Sequence, residues 1–80
     1  MVRAGGDGVG LCKRSFSLAG HRTSVAVEPE FWAALLAMAG ARGVALSALV
    51  AEVDAGRGPE QPLASALRVA ALLQAGLRDG

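Results

Sequence analysis

The residues able to do chemistry are few, and they cluster near the N-terminal end. Arg3, Lys13, Arg14 and Arg22 are four of the eight basic residues, and only Asp7 opposes them before Thr23. Their offer is electrostatic, of the kind an anionic polymer accepts. The overall balance is mild: the net charge is +1 and the pI near 8.0, below the value of about 9 found in strongly basic nucleic-acid domains. Catalysis is excluded on inventory. His21 is the only histidine and the carboxylates are scattered, so no nucleophile, base and acid can be assembled, and no phosphate-cradling glycine loop precedes a helix. Cys12 stands alone, which rules out an intramolecular disulfide and a cysteine metal site. No catalytic residue, cofactor or metal is expected.

The element that would position the basic residues is His21 to Val27, where polar and apolar types alternate from Arg22 onward. Period-2 alternation marks a half-buried strand. It sets Thr23, Val25 and Val27 toward a core and Arg22, Ser24 and Ala26 outward. Such a strand must pair its backbone groups. If the chain supplies no partner in the right place, a second copy must.

Residues 13–18 form either a basic arm or an extra strand, because Phe16 and Leu18 alternate with Ser15 and Ser17. A tight turn at Ala19-Gly20 would pair Leu18 with His21 and Phe16 with Thr23, bringing both apolar groups to the core side. Glycine suits the second turn position, whereas alanine is poor where φ is positive.

Beyond the strand the pattern is helical. Glu28-Pro29-Glu30 is a start signal, with proline at the first position and acids at the positive end of the dipole. A first helix is expected over 29–42, with Trp32, Leu35, Met38 and Ala39 as its stripe, Phe31 flanking and Gly43 as its stop. A second is expected over 46–55, with Leu46, Leu49, Val50 and Val53 at i, i+3, i+4 and i+7. A loop over 56–62 leads to a third helix over 63–77, whose stripe is Leu63, Ala66, Leu67, Ala70, Leu73 and Leu77. Residues 1–12 read as a Gly-rich flexible tail ahead of one domain over 13–78.

The chain has 80 residues, of which 52% are hydrophobic and 19% charged, with mean hydropathy +0.41. That is more apolar surface than a domain this small usually buries, and oligomerisation is the ordinary remedy. The longest uncharged stretch, Phe31 to Ala41, falls short of the ~20 residues a membrane span needs. The N-terminus lacks the apolar segment of a secretory signal, so a cytoplasmic location is expected.

The run KRSFSLAGHRTSVAVEPEFWAALLAMAGARGVALSALVAEVDAGRG, continuing to LASALRV, resembles a bacterial subfamily of the ribbon-helix-helix DNA-binding proteins. GHRTS, EPEFW and LSALVAEI-type strings recur there at these spacings. The resemblance implies a mainly α fold with a short N-terminal strand and a C-terminal third helix. It also implies an intertwined homodimer, in which each chain gives one strand to a two-stranded antiparallel ribbon. Thr23, Val25, Val27, Trp32, Leu35, Leu49, Val50 and Val53 would form the dimer core.

The ribbon of such a dimer enters the DNA major groove. Arg22, Ser24 and Ala26 match the reading positions: Arg22 could bond a guanine edge, and Ser24 a base or phosphate. His21, Lys13 and Arg14 would reach phosphates, making binding salt-sensitive. The start of the second helix, with Ser47, would hold another phosphate. Two departures weaken the transfer. Ala26 cannot hydrogen-bond a base through its side chain. Ala45 replaces a usual hydroxyl cap, at a cost of ~1 kcal/mol.

The function implied is a transcriptional regulator, nucleoid-associated when bound to DNA. The alternative is a dimerisation or protein-interaction module, including an antitoxin-like role, with a protein partner held through the first or third helix.

Overall fold

The computed structural model describes residues 10–79. They form a two-stranded antiparallel sheet followed by three helices: β1 (Cys12–Leu18), β2 (His21–Val27), α1 (Pro29–Arg42), α2 (Leu46–Gly56) and α3 (Leu63–Asp79). Most of the tail expected over 1–12, including Arg3 and Asp7, lies outside the described residues. Its last residue, Cys12, opens β1.

β1 and β2 pair along their whole length, from Cys12 opposite Val27 to Leu18 opposite His21. The turn between them places Ala19 at φ 52° and Gly20 at φ 83°. Two successive positive φ values belong to the type I′ turn, whose twist matches that of the strands it joins. Parity then sends Phe16, Leu18, Val25 and Val27 inward, all buried, with Thr23 half-buried beside them. Residues 13–18, read as either an arm or an extra strand, form the extra strand. β2 finds its partner within the same chain, because the turn brings β1 back beside it.

Pro29 starts α1, and the Glu28 carbonyl accepts the amides of Phe31 and Trp32. The helix passes through Gly40 and stops at Gly43, at φ 72°. There Gly43 N–H donates to the Gly40 carbonyl and Val44 N–H to the Ala39 carbonyl. This is the Schellman pairing, and it satisfies carbonyls the helix end leaves open. α2 then leaves at a bend of 102° to α1. α3 continues past Gly76 to Asp79, since one glycine costs a helix only about 1 kcal/mol.

The core lies between the inner sheet face and the three helices. Leu35, Leu67, Val27 and Val50 are its fully enclosed side chains. Val25, Val27, Trp32, Leu35, Leu49 and Val50, expected to meet across a dimer, are already buried within one chain, and Val53 packs against them. α3 departs from its expected stripe. It buries Leu63, Ala66, Leu67 and Ala71, while Leu73 stands 61% exposed beside Leu72 at 60%. Positions 63, 67 and 71 follow an i, i+4 row, and residue 73 has rotated well off that row. Among the described residues no single helix is long and apolar enough to cross a membrane.

Among the described residues, three ion pairs hold the helices and the loop before α3. Arg42 grips Glu52 with two nitrogens at 2.7 and 2.8 Å, joining α1 to α2. Arg68 Nε donates to Glu28 Oε1 at 3.0 Å and its guanidinium lies 5.9 Å from the Phe31 ring, pinning α3 to the start of α1. Arg57 donates to Asp54 at 2.8 Å and to the Gln61 carbonyl at 2.6 Å, closing the loop before α3.

Candidate nucleic-acid interface

Facing away from the core, the hairpin carries three cross-strand pairs: Lys13 with Ala26, Ser15 with Ser24, and Ser17 with Arg22. Partners on paired strands share a face, and the opposite face is the one that buries Phe16, Leu18, Val25 and Val27. The outward side chains are exposed except Ala26, which is half-buried. Ser15 Oγ and Ser24 Oγ lie 3.0 Å apart in hydrogen-bond contact. Arg22 Nη1 donates to Ser17 Oγ at 3.3 Å. The face thus holds two cations and three hydroxyls, and no carboxylate.

What supports this face from behind is Trp32. Its Nε1–H donates to the Cys12 carbonyl at 2.7 Å, and its ring lies 5.9 Å from that of Phe16, tilted by 40°. With Trp32 itself only 3% exposed, β1 is held to α1 by a short hydrogen bond and a packed ring pair. A buried tryptophan ordinarily finds such a partner for its N–H. Pairing β1 with β2 and fastening β1 to α1 leaves the ribbon little freedom to rock on the helices.

The structure places the expected site residues on two sides. Arg22, Ser24, Ala26 and Lys13 share the outward face. Arg14 pairs with Val25 and so turns the other way, its guanidinium 5.5 Å from the Trp32 ring centroid. That distance lies within the range of a cation–π contact. His21 pairs with Leu18, on the inner face at the exposed turn end. Ser47 is exposed in the first turn of α2, where no side chain caps the helix and Ala45 stands at the N-cap. Ser15 and Ser17 were not among the expected contacts. Their signal was present in the sequence, since any turn that sends Phe16 and Leu18 inward sends them outward.

Charge is distributed unevenly between the two ends of the chain. From Cys12 to Val27 there are Lys13, Arg14 and Arg22 and no acidic residue. Of the four arginines that follow within the helical part, the three whose side chains are described, Arg42, Arg57 and Arg68, each meet a carboxylate. Glu52 holds Arg42 charged above its ordinary range, and its own carboxyl is held low in return, first by that hydrogen bond. Among the described side chains, positive charge free of such neutralisation therefore gathers on the hairpin. The described residues include no cluster of side chains able to hold a metal ion.

The ribbon-helix-helix domain family matches the chain over residues 11–75. Comparisons with characterised proteins and with solved structures gave no significant match. The matched span begins one residue before β1 and ends within α3, so it takes in the whole hairpin and both helices that follow it.

Proposed function

The chain belongs to the ribbon-helix-helix family, whose domains typically form dimers, bind DNA and serve in regulators and antitoxins rather than as enzymes; from that membership we propose a homodimeric, non-enzymatic DNA-binding protein, a transcriptional regulator of the bacterial cytoplasm, with its β-ribbon in the major groove. One observation carries the reading. The outward hairpin face joins Lys13 and Arg22 to three hydroxyls with no carboxylate beside them. Arg22 is the base reader, able to donate two bonds to a guanine edge, and Ser24 can donate to or accept from any base. Ala26 is a silent contact that leaves room for a thymine methyl. Lys13 meets a phosphate from the end of the ribbon. The open start of α2, with the amides of Leu46 and Ser47, offers a second phosphate seat. Arg14 and His21, on the other face, stand outside this set.

The test is fluorescence anisotropy of a labelled duplex against the wild type and Arg22→Ala at several salt concentrations. Binding should weaken steeply with salt, and losing Arg22 should reduce the slope by about 0.9 if it meets a phosphate. If it reads a base, the cost should be about 1–3 kcal/mol at one position of the site. Absence of salt-dependent binding in both proteins would end the DNA reading. Light scattering at micromolar concentration tests the dimer, and a monomeric mass for a folded chain would refute it.

A second reading has its own support. Val69, Leu72 and Leu73 of α3 are exposed, an apolar strip that a protein partner or a second copy could cover. It favours a dimerisation or antitoxin-like interaction module. A dimer that forms normally but ignores DNA at low salt would select it.

A further inference from the structure

Resting on the DNA-binding reading above, we propose that Ser17 of β1 is a positioning residue: it holds the Arg22 guanidinium in the pose that reads a guanine edge, and so sets the preference for that base. Arg22 Nη1 donates to Ser17 Oγ at 3.3 Å. The two residues are opposite each other across the hairpin, and both are exposed on its outward side.

Backbone geometry brings them together. Ala19-Gly20 is a two-residue turn, so Leu18 and His21 exchange the ladder hydrogen bonds next to it. Hydrogen-bonded and non-hydrogen-bonded pairs alternate along antiparallel strands. Ser17 with Arg22 is therefore a non-hydrogen-bonded pair, the kind in which side chains approach most closely. The same alternation points the backbone groups of Arg22, Ser24 and Ala26 away from β1. Among the described residues the sheet has two strands, so that edge of β2 stays open to the strand of a second copy in the dimer. β1 then flanks the shared ribbon from outside, and Ser17 holds Arg22 without competing for the shared edge.

The nitrogen that Ser17 engages matters. Nη1 lies on the side of the guanidinium away from Nε–H. Its bond to Ser17 leaves Nε–H and Nη2–H, two parallel donors, together for the O6 and N7 of a guanine. Arginine loses more rotamer freedom on ordering than most side chains. A hydroxyl that orders it before DNA arrives lowers the cost of ordering it on binding. Ser17 also restrains the cation from its competing partner. There is no carboxylate from Cys12 to Val27, so a released Arg22 swings to the nearest phosphate, which carries no sequence information. β1 is a firm base for this restraint. It is paired with β2 along its length, and its Cys12 carbonyl accepts from Trp32 Nε1 at 2.7 Å.

The experiment uses the full chain. Duplexes enriched by the wild type from a randomised pool are labelled with fluorescein, and single base pairs are then replaced in turn. Anisotropy at several salt concentrations compares wild type, Arg22→Ala, Ser17→Ala, Ser17→Thr and Ser17→Ala/Arg22→Ala. Circular dichroism melts check that each variant keeps its fold. In the wild type, replacing the guanine read by Arg22 should weaken binding roughly 5-fold to 150-fold, and Arg22→Ala should be indifferent to that replacement. Ser17→Ala should lower the preference for this guanine roughly threefold to tenfold. Its salt slope should steepen by up to about 0.9 as Arg22 moves to a phosphate. Ser17→Thr, which restores the hydroxyl, should recover the preference, and removing Ser17 from Arg22→Ala should change nothing further. A wild-type preference in Ser17→Ala, or a loss of equal size in the Arg22→Ala background, overturns the proposal and leaves the DNA reading standing. Salt-dependent binding with no base whose preference depends on Arg22 does the same. If the wild type shows no salt-dependent binding to any duplex, the DNA reading falls and the proposal falls with it.

Discussion

Ala19→Asn should stabilise the fold by relieving the one described non-glycine residue with positive φ, Ala19 at 52°. A left-handed conformation costs an ordinary L-residue roughly 1–2 kcal/mol. Asparagine tolerates it better because its short polar side chain bonds locally, and Asn-Gly is the strongest type I′ pair. Recovering about half of that cost gives ~0.5–1 kcal/mol. For a domain this size 1 kcal/mol corresponds to about 4–8 °C, so the melting temperature should rise by roughly 2–8 °C. Gly20→Ala is the matching control. At Gly20 a Cβ would meet nothing within 4 Å, so any loss there comes from backbone conformation at φ 83° and not from crowding. It should lower stability by about 1 kcal/mol. Circular dichroism melts at fixed protein concentration measure both. An Ala19→Asn melting point at or below that of the wild type, with Gly20→Ala also neutral, would refute the type I′ turn and with it the intrachain hairpin.

Other outcomes follow from the same structure. Leu67→Ala should cost about 2–5 kcal/mol, because Leu67 is 0% exposed; against a total of about 5–15 kcal/mol for a small domain, a urea midpoint that barely moves would contradict its place at the centre of the core. The carboxyl of Glu28 is held below its ordinary value by its backbone hydrogen bond and then by Arg68, and that of Glu52 by Arg42. Groups whose folded pKa is depressed contribute stability above their unfolded pKa and lose it as pH falls through the folded one. The loss should therefore appear below about pH 4.5. Both groups are solvent-exposed, so the loss should be small, and Glu28→Gln and Glu52→Gln should each flatten it; denaturation midpoints that fall with the same slope in wild type and both variants would contradict these pairings.

Alternation from Arg22 to Val27 needs only a core on one side, and the start at Pro29 and the stop at Gly43 depend on local φ and missing donors. Each of these can be read from a few neighbouring residues, as can the outward positions of Arg22, Ser24 and Ala26. Family resemblance carried by GHRTS and EPEFW named the fold on the same local basis. The partner of β2 could not be read this way. Closing the turn forces Ala19 into a left-handed conformation, an unfavourable local choice. It is favourable only once Phe16 and Leu18 reach the core and the Cys12 carbonyl reaches Trp32. That return comes from residues up to twenty positions away, so a local reading leaves an arm and a strand equally open.

The same holds for α3, where two apolar rows compete for one core. The row of Leu63, Leu67 and Ala71 is the one that meets α1 and α2, with Arg68 fastened to Glu28, and Leu72 and Leu73 are left in solvent. Which residues are apolar, and with what period, was a property of the chain alone. Which of them the core could enclose, and that β1 returns to pair with β2, was decided by contacts between elements distant in sequence, since only these offset the strain of the turn and the exposure of the second apolar row.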